Sequence, residues 1–389
     1  MGVEKLKNKH FCLWKIHCCY GNKWKEMVTL HPRPHTALHS SFINRSIHEM
    51  MRYIFYFLLT LLLLGACQNP SLERGGEVLL EGESYPSVIW NDGNFYLMTQ
   101  SGHYDSLMIR RSESVAGLGE AEPIFIWDAR SKGMSNIYSP ELHRINGKWY
   151  LYFEADDGVN TDNHQLYVLE NPGADPLDGN WILHGPIITN PDWNFGLHPS
   201  VFEAKGRHYL LWSGWPTRRT ETETQCIYIA EMENPWSLKS ERVLISRPEY
   251  EWERQWVNRD GSRTAYPIYV NENPNAVISP DGKRVIVAYS ASGIWSDYTT
   301  VGLLHASIDS DLLDSASWQK EPEPFFRADS ESGLFGISNV AMVRNPAGQG
   351  YHVLYLVKQR DPEREEVVKS IGHKLIDWPD GGLPDFGKP

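Results

Sequence analysis

Five short phrases of the chain open on residues that hold or move protons, or that stand beside such residues: Tyr85, Ser139 with Glu141, His198, Glu272 before Asn273, and Ser338 with Asn339. Two carboxyls, an imidazole and a phenol are the parts of an acid–base pair. Cleavage of an acetal such as a glycosidic bond needs one carboxyl to protonate the leaving oxygen and a second group to activate water or attack carbon. The separation of the two groups decides the stereochemistry. A Glu beside apolar walls and Trp has its pKa raised toward neutrality because desolvation penalises the anion, which suits it to donate. These residues lie far apart in the chain and act together only if the fold brings the phrase starts to one place.

The phrases themselves supply that fold. They read YPSVIWNDGNFYLM from Tyr85, SPELHRINGKWYLYF from Ser139, HPSVFEAKGRHYLLW from His198, NPNAVISPDGKRVIVAY from Asn273 and, more loosely, SNVAMVRNPAGQGYHVLY from Ser338, with starts 54, 59, 75 and 65 residues apart. Each is a short strand, a Gly-containing turn and an aromatic-rich alternating strand, the pattern of a β-hairpin. HQLYVLE, QCIYIAEM and TVGLLHASI between them add further strands, enough for four per unit. Five such units predict an all-β, five-bladed β-propeller, whose repeat starts meet at one mouth of the central channel. A β-sandwich with chance hairpin similarity is the alternative. Aromatics at 12%, with 31 Gly and 24 Pro spread through the chain, suit many short strands and turns. The insertion from Glu251 to Tyr269 explains the longest gap and offers Trp252 and Trp256 to line a site.

A formal charge of -12 opposes nucleic acid, whose phosphates need a basic face, and suits a neutral, hydroxyl-rich partner. Residues 51–67, MRYIFYFLLTLLLLGAC, resemble a bacterial lipoprotein signal ending in a lipobox. That resemblance makes Cys67 the lipidated N-terminus of the mature chain, and Gln68 after it implies sorting to the outer membrane, on its periplasmic or outer side. The expected divisions are an over-extended, unstructured stretch over 1–49, the signal over 50–67, a linker over 68–80, the propeller over 81–375 and a tail over 376–389. Cys12, Cys18 and Cys19 lack zinc-finger spacing, and Cys67 and Cys226 alone remain in the mature chain, so no internal disulfide is expected.

NIYSPEL from Asn136, NGKWYLYFEADDG, NHQLYVLENPGADPLDGNW, LLWSGW, MENPWSL, VLISRPEYEWE, AYSASG and DLLDSASWQKEPEPFF together resemble glycoside hydrolase family 43, in particular its α-L-arabinofuranosidase-like branch, from about Tyr85 to Tyr355. The resemblance implies a five-bladed propeller and inverting, exo-acting hydrolysis of arabinose- or xylose-containing glycans. The family uses an Asp before Pro in blade one as base, an Asp in blade three as pKa modulator and a Glu in blade four as acid. Glu272, in Asn271-Glu272-Asn273-Pro274, matches the acid, while Tyr85 stands at the base position and His198 at the modulator position.

Three readings of these departures stay open. One is an active glycosidase with Glu272 as acid and Glu141, His198 or a loop residue such as Asp105 helping to activate water. Another is a propeller that binds glycans on the outer membrane without turnover, and the third uses Tyr85 as nucleophile. Asp157 and His164 in EADDGVNTDNH, with Trp215, Trp295 and a stacking Tyr85, are the expected substrate contacts; a solvated turn and core packing are their bland counterparts. Arg218 and Arg219 with Glu221 and Glu223 read as a charged loop, and Glu363 to Glu366 as a solvated tail. No cofactor is required. The resemblance implies a possible calcium or sodium ion in the central channel held through a His, where this chain has Ser338. The expected partners are an oligosaccharide or polysaccharide and, through the lipid alone, a membrane; the protein is expected to be monomeric.

Overall fold

A computed structural model of the chain describes residues 76–389 apart from 101, 103–104, 218–222, 256–267, 330 and 364–365. The signal, Cys67 and the stretch before it lie outside the described residues, as do Trp256, Arg218, Arg219 and Glu221.

Among the described residues β1 (Glu77–Glu81) comes first, followed by blade one from β2 (Ser84–Asn91), β3 (Asn94–Gln100), β4 (Ser106–Ser112) and β5 (Ile124–Asp128), with the short helix α1 (Val115–Glu120) before β5. Blade two is β6 (Ser135–Ile145), β7 (Lys148–Asp156), β8 (Gln165–Asn171) and β9 (Ile182–Ile187). In blade three, β10 (Leu197–Ala204), β11 (Arg207–Gly214) and β12 (Glu223–Asn234) are edged by β13 (Ser237–Leu238) and β14 (Val243–Ser246), which both pair with β12. Blade four is β15 (Ile268–Ile278), β16 (Arg284–Ala291), β17 (Thr300–Ser307) and β18 (Trp318–Lys320). Blade five is β19 (Phe335–Arg344), β20 (Tyr351–Asp361) and β21 (Glu366–Ile376), and β1 completes it by pairing antiparallel with β21. Five blades thus close as a ring, each inner strand touching the next in the order β2, β6, β10, β15, β19 and back to β2. A three-residue parallel pairing of β12 with β15 also joins blades three and four.

Burial follows the ring. Five apolar clusters lie one at each blade junction, for example Trp149, Phe153 and Ile109 between blades one and two, and Phe95, Leu97 and Leu354 between blades one and five. Two strands tuck a glycine under an aromatic ring: Tyr289 lies opposite Gly302, and Tyr355 opposite Gly372. A Cβ at either glycine would overlap the ring.

The two ends depart from the expected divisions. The presumed linker already contributes β1 from Glu77, because blade five lacks a fourth strand of its own. In the presumed tail, Trp378 and Phe386 are buried against the junction of blades four and five, and Lys374 Nζ donates to the Phe386 carbonyl at 2.5 Å. Asp361 and Glu366 pair across the β20–β21 hairpin, so that acidic stretch lies between paired strands and not in a tail.

Each inner strand carries the same irregularity near its start. Tyr85, Ser139, His198, Asn273 and Asn339 all have left-handed backbones, with φ between 46° and 54°, and each sits where the register with its partner strand breaks. Such a conformation strains a residue with a Cβ and persists only where surrounding structure fixes it. Gly302→Ala should cost about 1–3 kcal/mol by displacing the Tyr289 ring and the 2.8 Å hydrogen bond from its hydroxyl to Glu253. The urea unfolding midpoint measures it.

Candidate active site

The five bulges converge around the axis, and above those of blades one to four opens a cavity of about 380 Å³. Tyr85, Tyr138, His198 and Glu272 enter it from inner strands, Glu154 from β7, and Trp295 from the turn after β16. Its walls are aromatic. Tyr85 stacks on His198 with ring centroids 5.7 Å apart, Tyr138 lies 5.8 Å from Tyr85, and Phe195 stacks on Trp215 at 3.6 Å. Trp295 stands half exposed at the rim.

The polar core is built from the backbone upward. Residues Tyr138, Leu197 and Glu272, each immediately before a bulge, pair across the sheet with Glu154, Ser213 and Ser290. Each of those three buried side chains accepts the bulge N–H of the next blade: Glu154 from His198 at 2.6 Å, Ser213 from Asn273 at 3.0 Å and Ser290 from Asn339 at 3.0 Å. A bulge frees an N–H from the ladder, and burial without a partner costs about 1–3 kcal/mol. A hydroxyl suffices at two junctions, whereas the third holds a carboxyl group.

Glu154 and Glu272 flank His198. Its Nε2 lies 3.8 Å from Glu154 Oε1 and 3.9 Å from Glu272 Oε2, so these two carboxyl oxygens are at most 7.7 Å apart, the sum of those contacts. All three side chains are almost fully buried. Burial pushes the Glu154 carboxyl up to about 8; the His198 N–H and the Ser139 hydroxyl oppose this, and the charge of Glu272 adds to it. Burial also drives His198 down to about 3, so its imidazole is neutral at ordinary pH. Glu272 accepts the Ile294 N–H at 2.8 Å. Lys358, itself buried, holds that turn by donating to the carbonyls of Ile294 and Ser296 at 2.6 and 2.7 Å.

The cavity gathers Glu272, His198, Tyr85, His164, Trp215 and Trp295, but neither Glu141 nor Asp157. Glu141 faces a cleft of only about 20 Å³ and is occupied by His143 Nε2 at 2.5 Å, Val201 N at 3.0 Å and Ser200 Oγ at 3.2 Å. These contacts, all on Oε1, tie blade two to blade three, and the cleft meets the cavity lining at Tyr85. Asp157 turns into its own loop, accepting from Val159 N, Asn160 N and Asn163 Nδ2, which lower its pKa. It thereby shapes the loop that brings Thr161, Asp162 and His164 to the wall. Both His164 nitrogens meet carbonyls, those of Thr161 and Asn136. Asp105 lies outside the cavity, paired with Arg130 at 3.0 Å.

Glu154 is the site residue that sequence reasoning passed over. Its signal was a carboxyl inside KWYLYFEAD, a strand buried at every position after the first, although Asp156 in the same strand carries that signal too. The residues present do not fit a His-held axial ion: blade five offers Ser338 and Asn339, bonded to each other, and among the described residues no group of three or more His, Cys, Asp or Glu side chains is placed to hold a metal.

The raised pKa of Glu154 makes stability depend on pH. Between the ordinary value of 4.5 and about 8, the folded chain keeps a proton that the unfolded chain releases, so Glu154 stabilises fully below 4.5 and loses that contribution as pH rises. The loss amounts to roughly 4–5 kcal/mol at about 1.4 kcal/mol per pH unit. Glu154→Gln should flatten this slope and raise stability at pH 8 relative to the unsubstituted chain, as urea unfolding from pH 5 to 9 would record.

Residues 78–384 match the profile of glycosyl hydrolases family 43. Alpha-L-arabinofuranosidase 43 of Humicola insolens is 32% identical over 83% of this chain and 65% of its own length. An extracellular exo-alpha-(1->5)-L-arabinofuranosidase of Streptomyces avermitilis is 32% identical over 77% of this chain and 60% of its own. The chain therefore spans less than two thirds of the length of either relative. Among solved structures, an alpha-L-arabinofuranosidase from Lactobacillus brevis superposes with a TM-score of 0.69 at 31% identity, covering 80% of this chain and 95% of that one. Blade count, closure and these matches agree: the chain is a five-bladed β-propeller and belongs to glycosyl hydrolase family 43.

Proposed function

We propose that this protein is an exo-acting glycosidase that removes terminal arabinose-type, or related xylose-type, residues from polysaccharide fragments. The observation that carries the reading is the pair of buried carboxyls either side of a neutral imidazole in one aromatic-walled cavity. A cavity of about 380 Å³ suits the end of a glycan better than the middle of one, and aromatic faces suit sugar rings. The arabinofuranosidase relatives favour arabinose over other sugars.

Glu272 is the proton donor in this reading. It sits where the family resemblance puts the acid, beside the apolar side chains of Ile294 and Trp295. His198 is a poor base, because burial holds its conjugate acid near 3; it serves as a neutral spacer between the carboxyls. Inversion is proposed from the family, and a separation of at most 7.7 Å leaves room for the spacing that inversion uses. Export as a lipoprotein through Cys67 rests on the lipobox and is in keeping with the extracellular Streptomyces relatives.

Purified protein should hydrolyse 4-nitrophenyl α-L-arabinofuranoside, and Glu272→Gln should lower kcat by about 10²–10⁴-fold. Binding of arabino-oligosaccharides without turnover would defeat the reading. Proton NMR of the first-formed sugar tests the stereochemistry: inversion predicts the anomer opposite to that of the substrate.

A further inference from the structure

We infer that Glu154 is the base of the reaction, the carboxylate that takes the proton of the attacking water. This rests on the glycosidase reading above and supplies the group which that reading leaves unnamed.

The internal repeat carries the argument. Glu154 occupies the same place in blade two that Ser213 and Ser290 occupy in blades three and four: opposite the residue before the bulge, with its oxygen on the bulge N–H of the next blade. Two junctions show that a serine hydroxyl does this structural work. A carboxyl does it at greater cost, because burial disfavours the anion. The extra reach of Glu154 has one visible result: the residue lines the cavity, and its second oxygen, which accepts the Ser139 hydroxyl at 3.4 Å, lies 3.8 Å from the imidazole nitrogen that is 3.9 Å from Glu272.

The other acids fall away on geometry. Glu141 does not line the cavity and gives one oxygen to three neighbours that join blades two and three, and Asp105 is paired outside the cavity. Asp162 lines the rim from a partly exposed turn, whereas Glu154 is buried with an oxygen 3.8 Å from His198 Nε2. Glu154 acts as a base only in its ionised form, which gains strength from the raised pKa and accumulates as pH rises toward about 8, so kcat should rise with pH over that range.

The step balances with water alone. Glu154 takes a proton from water as the water oxygen bonds to the anomeric carbon. The bond from that carbon to the leaving oxygen breaks with its electron pair on the oxygen, which takes the proton of Glu272. Glu154 ends protonated and Glu272 ionised, and exchange with solvent restores both.

Glu154→Ser is the informative variant, since it installs the residue the repeat itself uses; Glu154→Gln is its isosteric companion. Circular dichroism and the urea midpoint establish that each folds. Both should lose at least about 10²-fold in kcat on aryl arabinofuranosides of good and poor leaving groups alike. Sodium azide should restore turnover of Glu154→Ser and yield a glycosyl azide of inverted configuration. A loss confined to poor leaving groups would make Glu154 the donor and overturn the assignment. So would activity within tenfold of the unsubstituted protein, a loss that azide does not relieve, or the same azide-rescued loss in Asp162→Asn instead. An unsubstituted protein that cleaves none of these substrates would overturn the glycosidase reading itself, and the base with it.

Discussion

A four-stranded twisted sheet with two apolar faces needs a neighbour on each side, and everything else in this molecule depends on that need. A linear stack of blades would leave two faces in water; a ring leaves none. The five junction clusters are the result, and β1 is the device that holds the ring shut, because the first strand of the described chain finishes the last blade. Covalent closure plays no part among the described residues, where Cys226 is a lone, buried thiol.

Closing the ring crowds five inner strands around one axis, and the bulges answer that crowding. Each left-handed residue kinks its strand and frees an N–H, and at three junctions a buried side chain of the preceding blade receives it. The same kinks aim Tyr85 and His198 into the cavity and set Glu272 just ahead of its own bulge. Architecture and site are therefore one construction. Strain at the axis is tolerated because burial at the junctions over-determines it.

Electrostatics then divides the site from the scaffold. Ser213 and Ser290 are neutral and stabilise their bulges with little desolvation cost, while Glu154 holds its proton to about pH 8 and His198 stays neutral to about 3. Lys358 adds a third buried titratable group, pushed down to about 8 by burial, which fixes the turn bearing Ile294 and Trp295. Buried ionisable groups of this kind destabilise a fold unless they are paired, and they concentrate here around a single cavity.

The repeat made the fold legible from residue order alone, since a strand, a Gly turn and an alternating aromatic strand are local patterns that need no partner to be recognised. It also located the bulges, as the phrase starts Tyr85, Ser139, His198 and Asn273 are themselves left-handed, and in blade five Asn339 follows the start by one residue. What each polar side chain faces was not legible. Glu141 and Glu154 lie 13 residues apart on paired strands of one hairpin, yet one is consumed in joining two blades while the other reaches the cavity. Local pattern fixes which face of a strand a residue takes. Only the neighbouring blade, brought in by ring closure, decides whether that face meets donors from a backbone or open space beside a second carboxyl.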